Sequence, residues 1–444
     1  MVAPPVTAAR SSLRLRVPAT RYLAVSAVFL STVRFALATY SGRRELVYGD
    51  FAATLPGGYA ERLNPTLWNS PDLAHSWAFH EHSYLHGPTQ FLTLYPLVFL
   101  DSYAAIARLL LVAYPFVVLA AVYVVWRTFR DAEGGPISGA AVYSAAMAFF
   151  PAIQAYSQRE FEVVILLAVA VMFWAAVRDR QGWVGATLAY IVWFKYLPVV
   201  MVPYLAWRRW SRALVVFALT SAALIALAHV LFDLRHFVDN LVPTMAGGQV
   251  AVILGRVDFC YGSDPKFIAA NHTFAGIRWA LCTLQDAGVG VAPLPSYLAL
   301  ASLVAGIGFA GFVRLERSRA VTAHTERWRR VLELSIILTV YTTFLFTHYY
   351  YLSVLIVPLT ALLVRFLAGA RWASLGVWLA TYACLSLFTI PVALIDAIFH
   401  VKPWDFDAWD WYMRHVVYFP GELLLMALLL REYVTLPIGG PTGD

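Results

Sequence analysis

A handful of residues stand out by type and spacing. Asp50, in Tyr48-Gly49-Asp50-Phe51, follows closely on an apolar run. A carboxylate beside aromatic residues at a membrane–water boundary is partly desolvated and can take a proton from a sugar hydroxyl. A helix N-cap, or a pairing with Arg43 or Arg44, is the structural alternative for it. The stretch His80-Glu81-His82-Ser83-Tyr84-Leu85-His86-Gly87-Pro88 places imidazoles near a carboxylate. The His-Glu-x-x-His spacing of zinc helices is absent, so His82 and His86 read as the lining of a polar pocket and no metal is expected. Ser157-Gln158-Arg159-Glu160 offers a guanidinium fork suited to phosphate oxygens and an amide that both donates and accepts. An Arg159 ion pair with Glu160 or Glu162 at a helix start competes with that reading. Lys195 is flanked by Phe194 and Tyr196 within apolar sequence. An ammonium there is costly without a partner, and a lipid-borne phosphate would supply one.

Farther on, Cys260 and Cys282 bracket Asn271-His272-Thr273-Phe274. Two cysteines in one extramembrane loop favour a disulfide, against the alternative of two thiols packed as small apolar side chains. Such a bridge would fix Asn271 and His272 as a roof over a site. Thr347-His348-Tyr349-Tyr350-Tyr351 closes a predicted helical hairpin, and Asp405-Phe406-Asp407 matches a metal-binding Asp-x-Asp pattern too short to carry weight.

The elements that must position these groups are set by composition. Of 444 residues, 60% are hydrophobic and only 13% charged, and the mean hydropathy is +0.66. Soluble domains carry about twice that share of charge. With 28 Phe, 24 Tyr and 15 Trp but 3 Cys, the chain is neither disordered nor a disulfide scaffold. The net charge of +7 comes from basic residues clustered between apolar blocks, which marks topology rather than nucleic-acid binding. The class is an all-α polytopic membrane protein.

A helix needs roughly 20 apolar residues to span. The run 20–40 is too long for a signal peptide and reads as a first span. Further spans are expected near 103–126, 136–152, 161–177, 183–194, 196–207, 212–232, 295–313, 331–347, 350–368, 373–397 and 415–430, about twelve in all. The clusters Arg127/Arg130, Arg178/Arg180, Arg208/Arg209/Arg212, Arg314 to Arg330, Arg365/Arg371 and Arg431 fall on one side. The positive-inside rule makes that side cytoplasmic, with both termini there and the protein in the inner, cell membrane. Residues 1–435 thus form one membrane domain, with outer loops 41–102, 233–294 and 398–414 and cytoplasmic tails 1–18 and 436–444. Residues 182–207, with Lys195 and Pro198 at their middle, read as a broken or re-entrant pair. Gln90–Leu100 is too short to span and should lie at the outer interface or dip in. The charged candidates gather at the outer edge, and the inverted repeat typical of secondary transporters is missing.

In this order the pieces resemble the GT-C superfamily of polyprenyl-phosphate-sugar glycosyltransferases, most closely glycosyltransferase family 87, whose members include mannosyl- and arabinofuranosyltransferases of actinobacterial envelopes. Asp50 with Leu55, Gly57 and Tyr59 is similar to the family's first-loop aspartate. Tyr84-Leu85-His86-Gly87-Pro88 is similar to its Tyr-Pro-Pro entry, with His-Gly-Pro as a departure. Ser157-Gln158 resembles its Gly-Gln turn, and Lys195-x-x-Pro198 followed by Arg208-Arg209-Trp210 its Lys-x-x-Pro segment. Asn271 to Gly276 resembles Asn-Gln-Ser-Leu-x-Gly, with His272 for Gln. His348 matches a histidine at the outer end of a late helix.

The resemblance implies a GT-C-like bundle and inverting transfer of one sugar, mannose or arabinofuranose, from a polyprenyl-phosphate donor to a glycolipid or glycan hydroxyl at the outer face. Asp50 would be the base. Lys195, Arg159 and His348 would hold the donor phosphate, and His82, His86, Gln158, Asn271 and His272 would line the substrate pocket. No cofactor or metal is implied. The partners are the lipid-linked donor, the acceptor and membrane lipid. A transporter or flippase for a lipid-linked sugar is the rival class; it would place ionisable groups at the bilayer midplane.

Overall fold

Long apolar runs without partners in water must close their backbone hydrogen bonds internally, and helices are the way a chain of this composition does so. The structure, a computed structural model, describes residues 17–41, 88–94, 96, 103–135, 137–157, 161–195, 197–232, 258–260, 274–317, 322–344, 347–386 and 412–437. In chain order its helices are α1 (Val17–Ser41), α2 (Pro88–Leu94), α3 (Tyr103–Glu133), α4 (Gly139–Met147), α5 (Phe150–Ser157), α6 (Glu162–Val177), α7 (Gln181–Lys195), α8 (Val202–Trp207), α9 (Ser211–Phe232), α10 (Ile277–Asp286), α11 (Pro293–Arg317), α12 (Ala323–Phe344), α13 (Ile356–Ala368), α14 (Trp372–Leu385) and α15 (Tyr418–Val434). Two 3₁₀ segments, Leu197–Met201 and Tyr349–Leu355, precede α8 and α13. The pair β1 (Phe274–Ala275) and β2 (Thr347–His348) is antiparallel, with Phe274 opposite His348.

The core forms around α6. Its residues are apolar on every side, so it is buried rather than amphipathic, with Met172 and Ala175 fully enclosed. Small residues let neighbouring backbones close in. A Cβ at Gly185 of α7 would fall 2.1 Å from the Ala213 carbonyl oxygen of α9, and one at Gly421 of α15 would fall 2.9 Å from Cys384 Cβ of α14. Neither position accepts a larger side chain without moving a helix.

Among the described residues, four helical stretches are long and apolar enough to cross a membrane: Arg108–Glu133, Ser211–Val230, Pro293–Arg317 and Tyr351–Ala368. The protein is therefore an all-α membrane protein, and these four stretches among the described residues stand beside the dozen spans expected for the whole chain. The predicted span 136–152 is split between α4 and α5, and 196–207 is a 3₁₀ turn followed by a six-residue helix. Gln90 lies in α2, whose Thr89 and Gln90 are buried and whose Thr93 hydroxyl is 2.8 Å from that of Tyr190 in α7.

The helices give the bundle two ends, which we call the arginine end and the lysine end. The turns α6–α7, α8–α9, α11–α12 and α13–α14 lie at the first; the junctions after α7 and α12 lie at the second. The expected loop Arg314–Arg330 is a correction: α11 continues to Arg317 and α12 begins at Ala323. The charged residues there stay helical because they are paired. Arg329 donates to Glu316 (2.6 Å) and Glu333 (2.9 Å), Arg330 pairs with Asp179 (3.0 Å), and Arg208 binds Glu326. Arg365 and Arg371 likewise converge on the fully buried Glu432, at 2.9 and 2.5 Å. Among the described residues the densest charge is thus at the arginine end.

Candidate active site at the lysine end

Lys195 is the last residue of α7, and the chain resumes as a 3₁₀ turn at Leu197 with Pro198 second in it. A proline lacks the N–H that would continue the ladder and biases its predecessor away from helix, so the break is local in origin. This places an ammonium at a helix C-terminus, where the macrodipole favours a cation. The antiparallel neighbour α6 begins with Glu162, a carboxylate in the first turn, where the dipole favours an anion.

The two meet. Lys195 Nζ lies 3.0 Å from Glu162 Oε1, with side-chain exposures of 11% and 3%. Lys195 also donates to the Tyr351 hydroxyl at 2.5 Å, and Tyr341 of α12 lies within electrostatic reach of the group. The ammonium is thus not the unpartnered cation that the sequence suggested: its counter-charge is in the chain. Glu162, the carboxylate also weighed as a partner for Arg159, pairs with Lys195. Sequence reading did not select Glu162 or Tyr351 for the site. The available signal was the placement of an acid at the start of one apolar helix and a base at the end of the next.

Tyr351 sits in the 3₁₀ segment that follows His348. The β1–β2 pairing sets the His348 backbone against Phe274, two residues after His272 in sequence. A disulfide joins Cys260 to Cys282 in α10, with Cα atoms 5.5 Å apart and both sulfurs' residues buried. Around it, Arg278 Nε donates to the Phe259 carbonyl at 2.7 Å and the Phe259 ring meets Tyr297 edge-on at 5.4 Å. The base of the Asn271–His272 segment is therefore tied to α10 and α11. Asp50, His82, His86, Gln158, Arg159, Asn271 and His272 lie outside the described residues. Of the expected site, the structure brings together Lys195, the backbone of His348 and the anchored flanks of the Asn271 segment.

The sequence profile of glycosyltransferase family 87 matches residues 84–340, more than half of the chain. The chain belongs to glycosyltransferase family 87. The matched stretch contains Lys195, its hairpin and Glu162; Asp50 precedes it and His348 follows it. It is narrower than the resemblance traced by short motifs, which ran from Asp50 to His348. No curated protein matches the chain. Family membership makes the protein a glycosyltransferase and removes the transporter as the main reading. Chemically, this candidate site offers a largely enclosed cation that meets, among the described residues, the Glu162 carboxylate and the Tyr351 phenol, and a carboxylate partner is one oxyanion that another can replace.

Proposed function

We propose that this glycosyltransferase moves one sugar, mannose or arabinofuranose, from a polyprenyl-phosphate donor to a hydroxyl of a glycolipid or glycan, with inversion, at the outer face of the cell membrane. The observation that carries the reading is the largely enclosed Lys195–Glu162–Tyr351 group at the helix break, of which Lys195 and Glu162 lie within the family-matched stretch. The arginine-rich end, which holds the start of α1 and the close of α15, is then cytoplasmic by the positive-inside rule.

The donor is a phosphodiester with one negative charge, and the departing polyprenyl phosphate gains a second as the anomeric C–O bond breaks. A cation at that oxygen therefore stabilises the transition state more than the ground state, which is the condition for raising the rate. Glu162 keeps Lys195 charged in an apolar setting before the donor arrives; the donor phosphate then takes its place, with Arg159 and His348 as further donors. Asp50 accepts the acceptor's proton as its oxygen attacks the anomeric carbon from the opposite face. His82, His86, Gln158, Asn271 and His272 line the sugar and acceptor. Charge neutralisation by these groups is sufficient for phosphate departure without a metal ion or other cofactor.

The test is to incubate purified protein with a panel of polyprenyl-phosphate sugars and an envelope glycolipid extract, and to follow release of polyprenyl phosphate. One sugar donor should be consumed, and Asp50→Asn should lower turnover by about 10²–10⁴ with the fold intact. Turnover by Asp50→Asn above half of the unsubstituted enzyme, or consumption of nucleotide sugars alone, would reject the reading.

A further inference from the structure

At the arginine end, the α6–α7 turn and the start of α9 enclose an open cavity of ≈ 590 Å³ lined by Arg178, Asp179, Arg180, Gly182, Trp183 and Arg212 among others. Its frame is fixed by local backbone chemistry. Asp179 takes a left-handed conformation (φ 57°) and the Arg180 amide returns to the Ala175 carbonyl at 2.8 Å, closing α6 with a Schellman-type turn. Two of the charges lining it are already spent: Arg178 donates to Asp131 at 2.9 Å and Asp179 pairs with Arg330 at 3.0 Å. Arg180 and Arg212 have no ion pair among the described residues. The first turn of α7 carries no acidic residue, so the dipole there adds to the positive potential. Below Arg212 on the same face of α9, Val215 and Leu219 are 57% and 66% exposed, and Trp183 at the rim is 59% exposed. Positive charge over a strip of exposed aliphatic residues, with tryptophan at the boundary, has the polarity of a lipid: headgroup above, acyl chain below.

We propose that this cavity is a binding site for an anionic phospholipid, its phosphate held by Arg180 and Arg212 and its acyl chain laid along Val215 and Leu219 of α9. The occupied site clamps the arginine end of the α7–α9 pair, helices that pack closely at Gly185. The inference is independent of the sugar or donor used by the enzyme.

Binding is read on the full-length purified protein by native mass spectrometry and thermal unfolding, with phosphatidylglycerol as probe, phosphatidylcholine as zwitterionic control and inorganic phosphate as free anion. Phosphatidylglycerol should be retained over phosphatidylcholine and should raise the unfolding temperature, and inorganic phosphate should do neither. Arg180→Gln with Arg212→Gln should weaken retention about tenfold or more, while Arg317→Gln, removing an exposed charge of α11, should leave it unchanged. Gly182→Asp guards against misfolding of the double variant. A Cβ at Gly182 would lie 3.8 Å from Arg212 Nε, in ordinary contact, so the new carboxylate fits, favours the helix start and occupies the cavity. It should abolish lipid retention with no loss of lipid-free stability. Equal retention of both lipids, undiminished retention in the Gly182→Asp and double variants, or displacement of the lipid by inorganic phosphate would overturn the proposal.

Discussion

Both ends of the bundle bury charge, and they do so differently. At the arginine end Glu333 is reached by Arg329 at 2.9 Å, by Arg208 at 3.5 Å and by the hydroxyls of Tyr204 and Tyr433 at 2.9 and 2.7 Å. Glu432 is held by two guanidinium groups. These carboxylates have more donors than one group alone can supply, and the helices α8, α12, α13 and α15 are joined through them. At the lysine end Glu162 has Lys195 as its single charged partner among the described residues. A saturated network is costly to open and resists exchange; a pair with unused acceptor positions can trade one oxyanion for another. On the proposed function, the difference separates charge that holds the fold from charge that meets the donor.

Three tests sharpen or break this comparison. The largest effect on stability is expected at the saturated end. Arg329→Met should lower unfolding stability by about 3 kcal/mol, the lower part of the range for opening a buried pair because Glu333 keeps Arg208 and two tyrosines. Turnover per folded molecule should be unchanged. Thermal unfolding and transfer assays on one preparation check both halves, and a turnover loss larger than the stability loss would erase the distinction between the two ends.

At the lysine end the expected order reverses. Lys195→Met should reduce turnover about 10²-fold by removing charge opposite the leaving phosphate, and it also leaves Glu162 buried without its partner. Adding Glu162→Gln should restore stability, since replacing both members of a buried pair is near neutral, yet leave turnover low. If the double variant recovered both, the pair would be structural only.

The smallest effect is expected at Tyr351. Tyr351→Phe removes one hydrogen bond to the ammonium while keeping the ring, and a bond to a charged group contributes about 1.5–3 kcal/mol. Turnover should fall roughly tenfold, with the donor KM little changed and unfolding stability lowered by about 1.5 kcal/mol. A selective rise in KM would place Tyr351 in donor recognition instead.

The broken hairpin was legible because its causes are local. Pro198 and the lone Lys195 sit midway between Arg178/Arg180 and Arg208/Arg209, and the chain breaks there. The length of α12 was not legible. Glu326, Arg329 and Arg330 read as a solvated loop, and they are helical because Arg208, Asp179 and Glu316, distant in sequence, satisfy them. Asp50, the base expected from the first loop, belongs to the part of the site that the sequence alone supports.

Composition and spacing by themselves determined a helical membrane protein, the clustering of arginines at one end, the hairpin break and the family resemblance, because each depends on residues close in sequence or on the solvent the chain must satisfy. Tertiary structure alone decided that Lys195 meets Glu162 and Tyr351, which lie 33 positions before it and 156 after it. It also decided that the Phe274 strand pairs with His348. A charge buried in an apolar bundle must find its partner among whatever the packing brings near, and that choice is made by helix contacts that no local pattern records.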